Sequence, residues 1–447
     1  MIRISPGSPR PRSQHVSTAW SVSQSVSLSV SLSASLAASL AVSVPALLSG
    51  CGDSHTNTLP PVPPPPGVTK KTGMTYYKDI QPIMQRSCQG CHVVGGVGPF
   101  PLTTYDEALQ NAAQVSSAVV ARRMPPWKPA DNCQKFQNAR SLGQDAIDTV
   151  YSWVADGSPA GNPADAPPNM TPNVVTLDWV DATVSPAASY TPAANLTTDY
   201  HCFVLDPKLA ASRDVIGYEV TPGAKQNVHH VLLYPADAAT ASTQDAKTPE
   251  VGWPCYGGPG ISTASTIGGW VPGSPPTKYP TNTGITLAAG QVLVMQIHYD
   301  NHHGGAWSPD QTSVKIQFAK TPVAKKATVL SVRNASFSIP SGATDYAVVG
   351  TMTTPSDGLI YGLAPHAHQL GKRLRVETAD TCLIDIPSWD FNWQQFYFYD
   401  GSQGLPFPKG TQIKLTCVYD NNTASPVGWG ESTTDEMCLN YFYATGP

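Results

Sequence analysis

Charge is scarce in this chain. Asp, Glu, Lys and Arg make up 13% of its 447 residues, about half the ~25% of an ordinary globular domain. The formal net charge of −4 leaves no basic surface, and that excludes a nucleic-acid partner. No acidic residue precedes Asp53. Beyond the N-terminal stretch, no run approaches the ~18 apolar residues that a membrane helix needs. Proline, by contrast, is abundant at 43 residues, roughly double the usual ~5%. Low charge with high proline suits β-rich, turn-rich extracellular domains. The apolar content of 41% is globular, so each of the two or three domains expected from the length can bury a core.

Residues 1–51 read as a targeting segment rather than fold. Arg3, Arg10 and Arg12 form a positive start, and a Ser/Val/Leu/Ala stretch then runs to Leu48-Ser49-Gly50-Cys51. That ending resembles a bacterial lipobox, whose cysteine is diacylated and becomes the mature N-terminus; an ordinary signal peptide is the alternative. The expected location is the bacterial periplasm or cell envelope, with a lipid anchor at Cys51. Nine cysteines fit an oxidising compartment. With Cys51 set aside for lipid and Cys88 and Cys91 for the motif below, Cys133, Cys202, Cys255, Cys382, Cys417 and Cys438 remain for disulfides.

Residues 52–72 form a Pro-rich tether, with Pro60-Pro61 and Pro63 through Pro66 favouring an extended spacer. A small all-α domain is expected over 73–162, and the Cys88-Gln89-Gly90-Cys91-His92 motif inside it makes it cytochrome c-like. Ile80, Ile83 and Met84 recur at helical spacing. Thr104-Tyr105-Asp106-Glu107 is a capping box that opens a helix to about Arg123, stopped by Pro125-Pro126. Ile147, Val150, Tyr151 and Val154 share a third helix face, closed by Gly157. A linker is expected over 163–195. Beyond it, period-two alternation dominates, as at Val292, Val294, Gln296 and His298 within 291–299. Further strands are expected near 214–220, 227–234, 357–368, 411–419 and 437–443. The fold class is therefore multidomain: the α domain, then two all-β, β-sandwich or jelly-roll-like domains over 196–322 and 323–447.

Cys88-Gln89-Gly90-Cys91-His92 carries the pattern of covalent haem c attachment. A zinc or redox cysteine pair is the alternative, and the helical flanks and export favour one haem c. His92 is then the proximal iron ligand. Met124, on the proline-rigid loop Arg123-Met124-Pro125-Pro126-Trp127, is the expected distal ligand, with Met84 its rival. Methionine ligation raises a haem's potential and suits electron transfer.

A second group of metal-ligating residues lies downstream: His229-His230, His298, His366-Ala367-His368 and Met437. An H-x-H within a strand sets both imidazoles on one face, about 6.6–7 Å apart at Cα. Adjacent residues point to opposite faces, so His229 and His230 can share an ion only across a twist or bulge. A thioether beside imidazoles favours copper over zinc or magnesium.

Residues from about 200 to 447 resemble the copper type II monooxygenases, the family of peptidylglycine α-hydroxylating monooxygenase and dopamine β-monooxygenase. The matching pieces are Val228-His229-His230-Val231, Gln296-Ile297-His298-Tyr299, His366-Ala367-His368 with Leu370-Gly371-Lys372, and Glu436-Met437-Cys438-Leu439-Asn440-Tyr441. The resemblance implies two copper ions: an electron-storing one on His229, His230 and His298, and one on His366, His368 and Met437 where O2 reacts. It also implies a Cys417–Cys438 disulfide and matches Gln296 to a family glutamine. The pairing of Cys133, Cys202, Cys255 and Cys382 stays open, with Cys202–Cys255 preferred. His302 and His303 compete with His298 but fall in a Gly-rich turn and read as exposed. The peptide-specific branch carries an arginine two residues before its H-x-H, where this chain has Ala364, so peptide α-amidation is not expected. Trp389, Phe391, Trp393 and Phe396 read as core, with pocket lining the alternative.

These readings imply an exported copper-dependent monooxygenase that hydroxylates an sp3 C–H of a small organic substrate with O2, fed by its own haem c. Its expected partners are O2, the substrate and an external donor, either ascorbate or a periplasmic redox protein. The competing reading is a non-catalytic periplasmic electron-transfer or copper-binding protein.

Overall fold

The computed structural model describes residues 64–447, apart from 97, 169–174, 264, 265, 302, 303, 402, 431 and 433. The lipobox with Cys51, most of the tether, and His302 and His303 lie outside the described residues. Among the described residues no helix is long and apolar enough to cross a membrane.

The first described region is helical. A π-helical turn, Tyr76–Ile80, leads into Gln81–Ser87 and buries Ile80, Ile83 and Met84. The Thr104 hydroxyl accepts the Glu107 amide at 3.3 Å, and the Glu107 carboxylate accepts the Thr104 amide at 3.0 Å, which completes the capping box. The helix it opens is not continuous to Arg123. It breaks into Tyr105–Gln110 and Ala112–Val120 at Asn111, whose side-chain amide donates to the Glu107 carbonyl at 2.8 Å. That carbonyl is the one Asn111's own backbone N–H would have used, so side chain has displaced ladder. Gln144–Ala155 buries Ile147, Val150 and Trp153, and Gly157 follows at φ +85°, a left-handed geometry that suits glycine.

Between these helices the chain leaves the helical core. Residues 127–140 run along the last β-sandwich. The Ala130 amide donates to Asp385 O, Gln137 N to Phe398 O and Asp400 N to Lys135 O, each at 2.8 Å. Phe136 is buried with Tyr397 and Tyr399 in that sandwich's core, a burial that contributes about 1.5–3 kcal/mol. Cys133 and Cys382 form a disulfide across a separation of 249 residues. The stretch expected to be purely part of an α domain is thus stapled to a β domain.

The remainder is β-structure in two sandwiches. In the first, a five-stranded sheet centred on Thr198–Leu205, Gln291–Asp300 and Val228–Asp237 packs on a sheet holding Ser313–Phe318, Arg213–Thr221 and Thr283–Leu287. Phe203, Leu233, Met295, Ile297 and Ile316 fill the interior. In the second, Lys325–Asn334, Cys438–Thr445 and Gly358–His366 face a four-stranded sheet of Tyr346–Thr353, Gln412–Tyr419, Gly371–Glu377 and Cys382–Ile386. Two features differ from the expectation of separate domains with a linker before them. Lys325 and Lys326 pair in parallel with Thr283 and Gly284, so one ten-stranded sheet runs through both sandwiches. Ala182–Val184, inside the expected linker, is an edge strand paired with Ser313–Phe318. Cys202–Cys255 and Cys417–Cys438 are disulfides.

Candidate metal centre

The first three histidines come from two neighbouring strands. His230 pairs directly with His298, and the register slips between Val228 and His230. That bulge defeats the strand alternation which would otherwise aim His229 at the opposite face. The ligand atoms of His229, His230 and His298 consequently lie within 4.8 Å of one another. The two Nδ1 atoms of His229 and His230 are 3.3 Å apart. Two nitrogens each at about 2.0–2.1 Å from one ion are spaced about this far at ordinary coordination angles, so the donor set fits a metal. His298 Nε2–H donates to the Thr198 hydroxyl at 2.8 Å, and that hydroxyl donates to Tyr299 O at 3.3 Å. This leaves the His298 lone pair on Nδ1. The Tyr200 ring stacks flat on His298, at 4.2 Å and 5°. Gln296, two residues before His298, is buried and spends its amide on Cys255 O at 2.7 Å.

The second set is assembled at a strand end. Gly358–His366 stops at His366, so His368 sits in the following turn rather than on the strand face that the H-x-H spacing suggested. The two rings still meet, at 5.1 Å and 81°. His366 Nδ1–H donates to Gln394 Oε1 at 2.5 Å, and His368 Nδ1–H to Asp435 O at 3.0 Å. Both rings thereby carry their lone pairs on Nε2. His366 pairs with Leu439 on the antiparallel Cys438–Thr445 strand, and Met437 immediately precedes that strand. A single carboxylate closes this end. Glu436 Oε2 accepts the amides of His368 (2.8 Å) and Met437 (3.2 Å), and Oε1 accepts that of Leu370 (2.6 Å). Burial pushes the Glu436 carboxyl up to about 7, against those amide donors, which lower it. Tyr419 adds an O–H donor to Met437 O at 2.6 Å, and the Cys417–Cys438 disulfide fixes the adjacent strands.

Electrostatics keep His230, His366 and His368 neutral, the state a metal ligand requires. Burial holds His230 well below the usual histidine range, helped by His298, His229, His366 and His368. Burial and His368 lower His366 to about 3, opposed by its bond to Gln394. Burial also lowers His368, opposed by the Asp435 carbonyl. The two sets are also linked through one aromatic side chain. Phe391 lies between them. Its ring stacks on His229 at 5.1 Å and 24°, and meets His368 edge-on at 5.7 Å and 76°.

In the helical region, His92 Nδ1–H donates to Phe100 O at 2.8 Å, leaving Nε2 for a ligand. Gly98 lies so close that an added Cβ would meet His92 Nδ1 at 2.7 Å. Cys88 and Cys91 are unpaired and half-buried, and burial pushes the Cys88 thiol up to about 12, unlike the depressed thiol of a redox pair. Met84 is fully buried in the helical core, whereas Met124 is half-buried on its loop. Arg140, from the stapled stretch, donates to Gly273 O (3.4 Å) and Gln395 Oε1 (3.3 Å). Burial lowers its guanidinium, opposed by Cys91 and Tyr397.

Thr198, Gln394, Phe391, Glu436 and Arg140 were not singled out for these roles from the sequence. Glu436 carried a signal, being adjacent to Met437 within a matched piece; Thr198, Gln394 and Phe391 are apart in sequence from the histidines they touch, and Arg140 bonds to none of them.

Two profiles of one family match this chain. Copper type II ascorbate-dependent monooxygenase, N-terminal domain, matches residues 187–306, and the C-terminal domain of the same family matches residues 326–444. Together they cover more than half of the chain, and the chain belongs to the copper type II ascorbate-dependent monooxygenases. Tyramine beta-hydroxylase of Caenorhabditis briggsae is 23% identical over 325 residues, 65% of this chain and 53% of that protein. The chain thus spans about half the length of that curated relative. Among solved structures, the major capsid protein P2 of bacteriophage PM2 aligns at 8% identity and a TM-score of 0.26, over 59% of this chain and 97% of that chain. The STIV MCP aligns at 7% identity and a TM-score of 0.23, over 60% of this chain and 95% of that chain. Likeness at that level has no bearing on function.

Proposed function

We propose that this chain hydroxylates an sp3 C–H bond of a small organic substrate with O2. His366, His368 and Met437 hold the copper at which O2 reacts, and His229, His230 and His298 hold the electron-storing copper. The observation that carries this reading is the meeting of two histidine sets on either side of Phe391, with the far ring nitrogens of His298, His366 and His368 engaged by protein acceptors. When bound, copper supplies one-electron redox chemistry and reactivity toward O2. One oxygen atom enters the C–H bond and the other leaves as water, with two electrons and two protons consumed. The protein's part is to fix which nitrogen faces each metal. Thr198, Gln394 and the Asp435 carbonyl do so by accepting the proton on the far side of His298, His366 and His368.

Cys88 and Cys91 carry a haem c in this reading, with His92 and Met124 as its axial ligands. The tie between His92 and Phe100 supports the proximal role. Residues 127–140, bonded to the second sandwich and stapled to it by Cys133–Cys382, support a haem unit coupled to the copper domains. Electrons come from ascorbate or from a redox protein of the periplasm, where export and a lipid on Cys51 place the chain.

Copper-loaded full-length protein should contain two coppers and one haem iron per chain, and should consume O2 with tyramine, the first substrate to screen. With the haem pre-reduced, tyramine and O2 should abolish the sharp α-band of the reduced haem. The double variant Cys88→Ser plus Cys91→Ser should turn over with ascorbate alone. One weakly bound copper and no O2 uptake across a panel of amines and other C–H compounds would leave a copper-holding protein instead.

A further inference from the structure

The segment Trp389–Gln394 belongs to none of the matched motifs, yet it touches three of the six histidine and methionine ligands. Gln394 Oε1 accepts from His366 Nδ1 at 2.5 Å. The same side chain's Nε2 donates to Phe391 O at 2.7 Å, so its amide can present only one face to the histidine. Trp389 Nε1 donates to His368 O at 3.1 Å. The Phe391 ring reaches from His229 in one sandwich to His368 in the other. The loop is itself anchored: Asp390 accepts from the Asn392 amide at 3.1 Å and pairs with the buried Lys128 ammonium at 3.3 Å. Lys128 stands at the head of the stretch that Cys133–Cys382 staples.

We propose that this loop is the positioning element of both metal sites, with Gln394 setting the His366 tautomer and Phe391 coupling the two ligand sets. An imidazole ligand needs its proton on the nitrogen that faces away from the metal. At His368 and His298 a backbone carbonyl and a threonine hydroxyl accept that proton. At His366 the acceptor is Gln394, the one of the three supplied by a long side chain of a loop. A side chain set by a loop is correct only while the loop is in place. Phe391 pins the loop between the sets, so movement of one set is felt by the other.

The inference rests on the copper ligands proposed above, and its test separates the two. Full-length chain is loaded with copper, then read by Cu(II) electron paramagnetic resonance and by Cu(I) competition with a chelator. Gln394→Leu should weaken copper at the second set about ten- to a hundredfold, as loss of a partner to a ligand's far nitrogen does. Its first-set signal should keep its wild-type affinity. Gln394→Glu, which still accepts the His366 proton, should return affinity to within a few-fold of wild type. Phe391→Leu should alter the spectra of both coppers, which a local packing role would not. Thermal melts of the copper-free variants show whether each folds. Should Gln394→Leu not fold, Gln394→Asn, one carbon too short to reach His366, takes its place with the same expectation. Equal affinities for the Leu and Glu variants, whether both weak or both normal, overturn the role of Gln394. A Phe391→Leu change confined to one copper overturns the coupling. Wild-type protein that fails to bind two coppers overturns the function proposed above instead, without reference to either variant.

Discussion

The two ligand sets reach similar local geometry by different constructions. His229, His230 and His298 sit on two adjacent inner strands of a five-stranded sheet, where pairing alone puts His230 opposite His298 and one bulge turns His229 in. His366, His368 and Met437 sit at a strand end, in the turn beyond it and just before the opposing strand. Strand pairing runs out there, and the work passes to side chains. Glu436 ties the His368 and Met437 amides to one carboxylate oxygen, and Gln394 orients His366. Ladder geometry resists perturbation, because many backbone bonds share it. Geometry that depends on single side chains can be adjusted, and broken, one residue at a time.

That contrast can be broken at its strongest point by Met437→Ile, which keeps the buried volume and removes the thioether. It should lose the second copper and lower hydroxylation by at least about a thousandfold, equivalent to ~4 kcal/mol, while the first copper's resonance persists. Retention of activity within tenfold would remove Met437 from the site. A smaller effect is expected from Glu436→Ala, which orphans the buried amides of His368, Leu370 and Met437. At about 1–3 kcal/mol for each unsatisfied buried group, the loss should total about 3–9 kcal/mol in urea unfolding. Copper should weaken at the second set far more than at the first; equal weakening would show that the carboxylate serves the whole fold. The mildest change is Thr198→Val, of matched size, which removes the acceptor for His298 Nε2–H. Copper at the first set should weaken about tenfold with the melting temperature nearly unchanged. A large fall in melting temperature would mean that Thr198 serves the sheet more than the ligand.

Much of this was legible in the residues. Alternation at Val292, Val294, Gln296 and His298 marked the strand that became Gln291–Asp300. The adjacency of His229 and His230 demanded a bulge, and the register slip supplies one. Thr104 and Glu107 marked a helix start correctly. The helix break at Asn111 was missed because a single side-chain donor won over helical spacing. Phe391 read as core, since composition says only that an aromatic is buried, and not between which groups. The Cys133–Cys382 pair could not be read because many pairings of the same cysteines satisfy the same count. Nor did periodicity reveal the parallel pairing of Lys325 and Lys326 with Thr283 and Gly284, which joins the sandwiches into one sheet.

By itself, the order of residues determined the donor chemistry: which imidazoles, which thioether and which cysteines this chain carries, and that the later ones ride on strands. Tertiary structure alone decided which nitrogen of His298, His366 and His368 is tied, which carboxylate closes the second set, and that one phenylalanine spans both. The reason is physical. Side-chain type and strand period are properties of a local stretch, whereas a tautomer or a ring contact is set by whatever group the fold brings to the other side of that ring.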